Sequence, residues 1–211
     1  MKNERIVGVI TGDLIQSTAL SDEQKSHLKA ELSRVLTGNP YVLMPLQFYR
    51  GDSFQLMSTC DKAPQLSILI ESVIISTVNT LARISIGIGT ASYIHENDVL
   101  QSEGEAFMLS GQQLDRMKAE DRIFKILTNL PNIQTNIDIT TLLVENIIKD
   151  WKPGQASVIS AIPNSETQRT IASKLNISPA AVSKTLKAAK WQAVEQYIQW
   201  FEETIKIYCH E

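Results

Sequence analysis

The sequence predicts a mixed α+β sheet layer followed by a small all-α unit, and three observations carry that prediction. Strand and helix patterns follow one another as β, α, β, β, α, β, α, β over residues 7–127. Two of those strands are joined only by a turn, Arg50-Gly51-Asp52-Ser53, so one antiparallel hairpin sits among helical crossovers. Charge then changes sign along the chain. Residues 1–150 hold 13 Lys+Arg and 18 Asp+Glu, net −5; residues 151–190 hold 6 and 1, net +5; residues 191–211 hold 1 and 4, net −3. An open mixed sheet with helices against it, close to a ferredoxin-like plan, fits the first part. We expect a sheet domain over 1–130, a connecting helix over 131–152 and a helical unit over 153–211.

Val7-Gly8-Val9-Ile10-Thr11-Gly12 reads as a buried strand, with Asp13 at its end. Ser21 and Gln24 form a capping box for a helix whose apolar face is Leu28, Leu32, Val35 and Leu36. Gly38-Asn39-Pro40 stops it. Tyr41–Tyr49 is the next strand, and Pro45 places a bulge or an edge in it. Phe54–Met57 completes the hairpin. Pro64 opens a second helix, with Leu66, Ile70, Val73, Ile74, Val78 and Leu81 on one side. Arg83–Ala91 alternates Ile with Ser and Gly, a strand whose glycines let another backbone or a ligand come close. A third helix spans Glu103–Met117, and Asp121–Leu127 is the last strand. Asp138 is a candidate cap for the helix that contains Leu142, Leu143, Ile147 and Ile148.

Trp151-Lys152-Pro153-Gly154 breaks the chain, and three short helices follow. Gln155–Ile162 stops at Pro163. Ser165 and Gln168 form a capping box for Glu166–Leu175, Asn176-Ile177 is a tight turn, and Ser178 caps a helix with Pro179 at its first position. Ile171, Ala172, Leu175, Ile177, Val182 and Leu186 fit two helices packed across that turn, a helix-turn-helix layout. With Ser178 at its start, the last helix presents Ala180, Ser183, Lys184 and Lys187 on the opposite face, small and basic residues suited to a major groove. Double-stranded DNA is the partner expected from this pattern; a lysine-coated packing surface is the plainer alternative. In the final helix, Trp191, Val194, Ile198, Phe201, Ile205 and Tyr208 recur at spacings of three and four. That seam serves either packing within the chain or a homodimer.

Hydrophobic residues are 43% and charged residues 20%, ordinary for a globular protein. Cys60 and Cys209 show neither CxxC nor Cys/His spacing, so neither a disulfide framework nor a zinc site is indicated. The apolar run Leu66–Leu81 is interrupted by Glu71, Ser72, Ser76, Thr77 and Asn79 and is too polar to span a bilayer. The N-terminus lacks a secretory layout. A cytoplasmic protein without a membrane partner is expected.

Asp13 and Asp52 are the candidate chemical residues. Carboxylates at the ends of neighbouring strands can share a divalent cation, because hard cations take oxygen ligands. Ordinary turn and cap roles are the alternative.

The segments GVITGDLIQS, QFYRGDSFQLM, RISIGIGTA and GEAFMLSGQQLD, in this order, resemble the SatD-like proteins. More distantly they resemble the nucleotidyl cyclase fold of GGDEF domains and class III cyclases, over about residues 5–128. IASKLNISPAAVSKTLKAAKW resembles the helix-turn-helix that ends many SatD-like chains. The resemblance implies that Asp13 and Asp52 hold Mg²⁺ at a nucleotide. It implies phosphate contacts from the amides of Leu14, Ile15, Gln16 and Ser17, beside Gly51 at the hairpin tip. Arg50-Gly51-Asp52-Ser53-Phe54 stands where a GGDEF enzyme has its signature, so the first Gly and the Glu are missing. No counterpart of the triphosphate-binding lysine and arginine is identified. Three functions follow as expectations: a DNA-binding regulator with a nucleotide-sensing sheet domain, a metal-dependent nucleotidyl transferase or cyclase, and a dimerisation scaffold.

Overall fold

The sheet layer comprises β1 (Arg5–Leu14), β2 (Val42–Tyr49), β3 (Ser53–Thr59), β4 (Ala82–Ala91) and β5 (Phe124–Thr128). The structure is a computed structural model and describes residues 5–163 and 167–209. The strands lie in the order β2-β3-β1-β4-β5. All neighbours are antiparallel except β4 and β5, which are parallel. The helices are α1 (Asp22–Leu36), α2 (Ala63–Val78), α3 (Glu105–Glu120), α4 (Pro131–Lys149), α5 (Pro153–Ser160), α6 (Gln168–Leu175), α7 (Pro179–Ala188) and α8 (Trp191–Cys209). The mixed α+β class is the one the sequence predicts.

Side chains alternate across each strand, so the two sheet faces have different partners. Ile10, Phe54, Leu56, Ile84 and Ile86 join the large core with α1 and α2. Val7, Val9, Met44 and Met57 form a smaller core with Ala106 of α3. Phe54 is fully buried, and truncating such a ring costs about 3–5 kcal/mol. α2 is buried almost all round, because it lies between the sheet and the C-terminal helices. The large core runs on through Ala156 and Ile159 of α5 and Val194, Phe201 and Ile205 of α8. The expected α8 seam is therefore spent within the chain: Val194, Ile198, Phe201 and Ile205 are buried.

Local chemistry sets most boundaries as expected. Ser21 and Gln24 exchange both bonds of the capping box. The β2–β3 ladder shifts register between Met44 and Gln47, around Pro45, which has no amide to donate. Other boundaries differ. α4 begins at Pro131, not at Asp138, because proline suits the first helical turn. Asp138 lies inside the helix and accepts from Gln134 Nε2 at 2.9 Å. α3 runs on to Glu120, and Asp121, left-handed at φ 52°, closes it, so β5 starts only at Phe124. Ser165 and Glu166 lie outside the described residues. α6 is capped by Thr167, whose hydroxyl accepts from the Thr170 amide at 3.2 Å.

Two buried acids tie helices to strands. Glu71 of α2 accepts from the Ala82 amide with both oxygens, at 3.1 and 3.2 Å. Glu145 of α4 pairs with Arg122 at 2.6 Å and Lys149 at 2.8 Å and accepts from the Ile123 and Phe124 amides. The C-terminal unit is fastened as well. Trp151 Nε1 donates to Ala189 O at 2.9 Å, the Thr141 and Tyr197 hydroxyls meet at 3.0 Å, and Lys62 pairs with Glu202 at 2.6 Å. Cys60 and Cys209 form a disulfide, with Cα atoms 6.5 Å apart. This corrects the sequence reading, in which the spacing of the two cysteines indicated no disulfide framework. No local spacing announces a pairing across 149 residues. Among the described residues no helix is long and apolar enough to cross a membrane.

Candidate functional site

Asp13 is the penultimate residue of β1. The ladders place it opposite Ser53 of β3 on one side and Arg83 of β4 on the other. Asp52 immediately precedes Ser53, so it sits in the turn that leads into the strand beside Asp13. Tyr49 pairs with Ser53, which leaves Arg50-Gly51-Asp52 as the hairpin tip. Arg50 and Gly51 both take positive φ, 51° and 85°. An added Cβ on Gly51 would meet nothing, so the left-handed backbone favours glycine there and space does not.

The tip is latched to the segment that follows Asp13. The Leu14 amide donates to Asp52 O at 3.2 Å. The Ser17 hydroxyl donates to Asp52 Oδ2 at 2.5 Å. Gln16, left-handed at φ 56°, opens a short 3-10 turn over Ser17–Ala19. The Ile15 amide donates to Leu81 O at 2.8 Å. Of the four amides expected at a phosphate, Leu14 and Ile15 are thus already used. Those of Gln16 and Ser17 have no acceptor among the described residues.

Asp13 is only 8% exposed, and two cations face it. Lys118 Nζ of α3 stands 3.2 Å from Oδ2, and Arg83 Nη1 stands 3.8 Å from Oδ1. Neither cation was identified from sequence. Arg83 becomes visible only once β1 and β4 are paired in register, and Lys118 has no local signal. Asp13 Oδ1 is buried and accepts no hydrogen bond among the described residues. Such an oxygen is costly to leave unsatisfied, and a cation or donor from a ligand would complete it.

The same sheet face continues as a polar row. Gln47, Gln55, Thr11 and Ser85 are cross-strand neighbours on β2, β3, β1 and β4. Gln55 Nε2 donates to Thr11 Oγ1 at 3.0 Å, and Thr11 meets Ser110 of α3 at 2.9 Å. Gln47 Oε1, Ser85 Oγ and, from α3, Gln113 Nε2 are buried without hydrogen-bond partners among the described residues. Burial pushes the Tyr49 hydroxyl up, Arg50 opposes this, and the charges of Asp13 and Asp115 add to it.

No group of three or more His, Cys, Asp or Glu suited to a metal occurs among the described residues. Two carboxylates still fit Mg²⁺, which commonly takes one or two carboxylates and fills its octahedron with phosphate oxygens and water. The orphaned Asp13 oxygen is the structural sign of that fit.

The second candidate surface is on α7. Asn176 is left-handed at φ 53°, and the Ile177 amide reaches back to Ala172 O at 3.0 Å, so α6 ends in a tight turn. Ser178 Oγ accepts from the Ala181 amide at 3.1 Å and caps α7. Val158, Ile171, Ala172 and Val182 form the small core between α5, α6 and α7. Val182 is the one buried residue of α7; Ala180, Ser183, Lys184 and Lys187 are all exposed.

No protein-family model matches the chain, and no curated protein sequence is similar to it. Among solved structures, a bacterial light-regulated adenylyl cyclase resembles it with a TM-score of 0.42 and 11% identity, over 58% of this chain and 43% of that one. A second structure bearing that description gives 0.41 at the same identity and coverage. The guanylyl cyclase Cya2 gives 0.38 and 11% identity over 54% of this chain and 71% of its own. The chain thus spans less than half the length of the first two. The likeness is one of fold, slight and partial, and carries no argument about activity.

Proposed function

We propose that this protein is a DNA-binding regulator of the SatD-like kind, whose sheet layer binds a nucleotide together with Mg²⁺. The observation that carries the reading is the α7 surface. A helix held by one buried valine, capped by Ser178 and turning Ala180, Ser183, Lys184 and Lys187 outward, fits the recognition element of a helix-turn-helix. The net charge of +5 over residues 151–190 supplies the attraction to phosphates.

In the sheet layer Asp13 and Asp52 would hold the Mg²⁺, which when bound neutralises and orients polyphosphate charge. Lys118, Arg83 and the Gln16 and Ser17 amides would meet phosphate oxygens. Lys62–Glu202, Thr141–Tyr197 and the disulfide tie this layer to α8, and a ligand at the sheet would act on the DNA-binding unit through that helix.

Fluorescence anisotropy with a mixed-sequence duplex at several salt concentrations tests the DNA half. Lys184→Ala and Lys187→Ala should each weaken binding and flatten the log–log salt slope by about one unit per lost phosphate contact. Unchanged binding and slope in both would remove the DNA reading. Thermal shift with ATP and GTP, with and without Mg²⁺, tests the sheet half. A Mg²⁺-dependent rise that Asp13→Asn and Asp52→Asn abolish is the expected result; no rise with either nucleotide overturns it.

A second reading, a metal-dependent nucleotidyl transferase or cyclase, is favoured by Arg83 and Lys118. In-line phosphoryl chemistry needs cations at the developing charge, and these two stand beside Asp13. Release of pyrophosphate from ATP or GTP by wild type, lost in Lys118→Ala, would establish it.

A further inference from the structure

α8 leaves a gap where it meets α2 and α5. The gap is a cavity of about 250 Å³, walled by Ile68 and Leu69 of α2, Ile159 of α5, and Trp191 and Ile198 of α8. It opens to solvent past Glu195 and Gln199, both exposed. An apolar cavity of about 150 Å³ holds a benzene molecule, so this one has room for a ring and a short chain. Its polar groups are few. Gln65 lines it, and Gln65 Oε1 is buried and accepts no hydrogen bond among the described residues. Glu195 and Glu202 line it too, and among the described lining residues there is no lysine, arginine or histidine. Glu202 is already paired with Lys62 at 2.6 Å. Glu195 pairs with no cation among the described residues. The apolar walls therefore carry one unmet acceptor and one unmet negative charge.

We propose that this cavity binds a small organic ammonium, an amine with an apolar body of about one ring. The unmet groups select that class. A hydrocarbon would fill the walls and leave Gln65 Oε1 bare, which is costly for a buried acceptor. A carboxylate ligand would leave it bare too, and Glu195 would repel it. A primary ammonium brings three N–H donors for the acceptor and a charge that suits Glu195. The Trp191 indole in the wall is an aromatic partner that a cation favours. The site is separate from the Asp13 site. It lies on the α2 side of the sheet, whereas Asp13 faces Lys118 of α3. It rests on neither the nucleotide nor the DNA reading. Its ligand would touch α2 of the sheet layer and α5 and α8 of the helical unit together, in the kind of junction where small-molecule sites concentrate.

Calorimetric titration of the full chain with millimolar 2-phenylethylamine tests it. This probe carries a ring, a two-carbon chain and a terminal ammonium. It should bind, with a change in tryptophan emission that Trp191→Phe removes. 3-Phenylpropanoate, a similar body with a carboxylate head, should not bind. Glu195→Gln should weaken the amine by about twofold to fivefold, the worth of one exposed charge contact. Glu195 is exposed, so this variant should keep the far-UV circular dichroism of wild type. Gln65→Leu should weaken the amine by about tenfold, because it removes the buried acceptor. No binding of the amine overturns the proposal. Binding of the carboxylate as tightly as the amine overturns it too, by making the cavity indifferent to charge. An amine affinity that neither Glu195→Gln nor Gln65→Leu changes also overturns it, by placing the amine elsewhere.

Discussion

Gly87 of β4 lies directly against Ala106 of α3. A Cβ built on Gly87 would stand 2.1 Å from the Ala106 carbonyl oxygen and 2.7 Å from the Ser110 nitrogen. Both are backbone atoms, so no change of rotamer relieves the clash. Gly87→Ala should lift α3 from the sheet and cost about 1–3 kcal/mol, the range for an overpacked core. Ser110 would move with α3, and with it the bond to Thr11. An unchanged denaturation midpoint would show that α3 is not seated on β4 in this way.

Glu71 sets a pH dependence. Burial pushes its carboxyl up to about 8, and the Ala82 amide only partly opposes this. In the unfolded chain the group titrates near 4.5. Between the two values the unfolded chain gives up a proton that the folded chain keeps. Rising pH then favours unfolding by at most about 1.4 kcal/mol per pH unit. The loss is absent below 4.5 and complete above 8. Glu71→Gln should remove this slope, so its stability relative to wild type should grow from pH 5 to pH 7. Parallel pH profiles in denaturant titrations would contradict the buried neutral acid.

These two residues mark the limits of what was legible in the chain. The glycines of RISIGIGTA announced a close approach on one face of β4, because a missing Cβ is a local fact. They did not announce that α3 makes it. Ser21–Gln24, Pro45, Asn176 and Ser178 were legible for the same reason, since each acts on its own neighbours. Asp13 and Asp52 could be placed at strand ends, but Arg83 and Lys118 could not be placed beside Asp13. That needs the β1–β4 register and the path of α3, neither of which has a local signature. Glu71 looked like an interruption in an apolar run; its partner is the first amide of a strand eleven residues on. Pro131, not Asp138, starts α4, because the first-turn preference of proline acted where a distant acid was credited.

The disulfide closes most of the chain into one loop. On a chain-entropy account, a link across 149 residues stabilises the fold by at most about 5 kcal/mol. It joins the end of the β2–β3 hairpin to the last residue of α8. Cys209→Ser should lower the melting temperature and free the last turn of α8, while Ile205 and Phe201, buried further along that helix, keep the rest in place. Hydrogen exchange should rise from Lys206 onward more than at Val194. Equal protection in the reduced and oxidised chains would mean that the core alone holds α8.

On the nucleotide reading Lys118 would act in two opposite ways at the Asp13 site, and one substitution separates them. Its ammonium is 3.2 Å from Asp13 Oδ2, so it occupies charge that a free divalent cation would use. With a polyphosphate bound as proposed, the same ammonium would meet a phosphate oxygen. Half of the side chain, 51%, is exposed, so the ion pair is screened and contributes at most about 1 kcal/mol. Lys118→Ala should therefore strengthen binding of Mg²⁺ alone by about twofold to fivefold. It should weaken binding of a Mg²⁺–nucleotide complex by a similar factor, because the complex loses a cationic partner and gains only part of the freed carboxylate. Asp13→Asn should weaken both. Calorimetric titration with Mg²⁺ alone and then with Mg²⁺–ATP reads each sign directly. If Lys118→Ala shifts the two affinities in the same direction, the lysine is not the group that gives way to the metal and meets the phosphate.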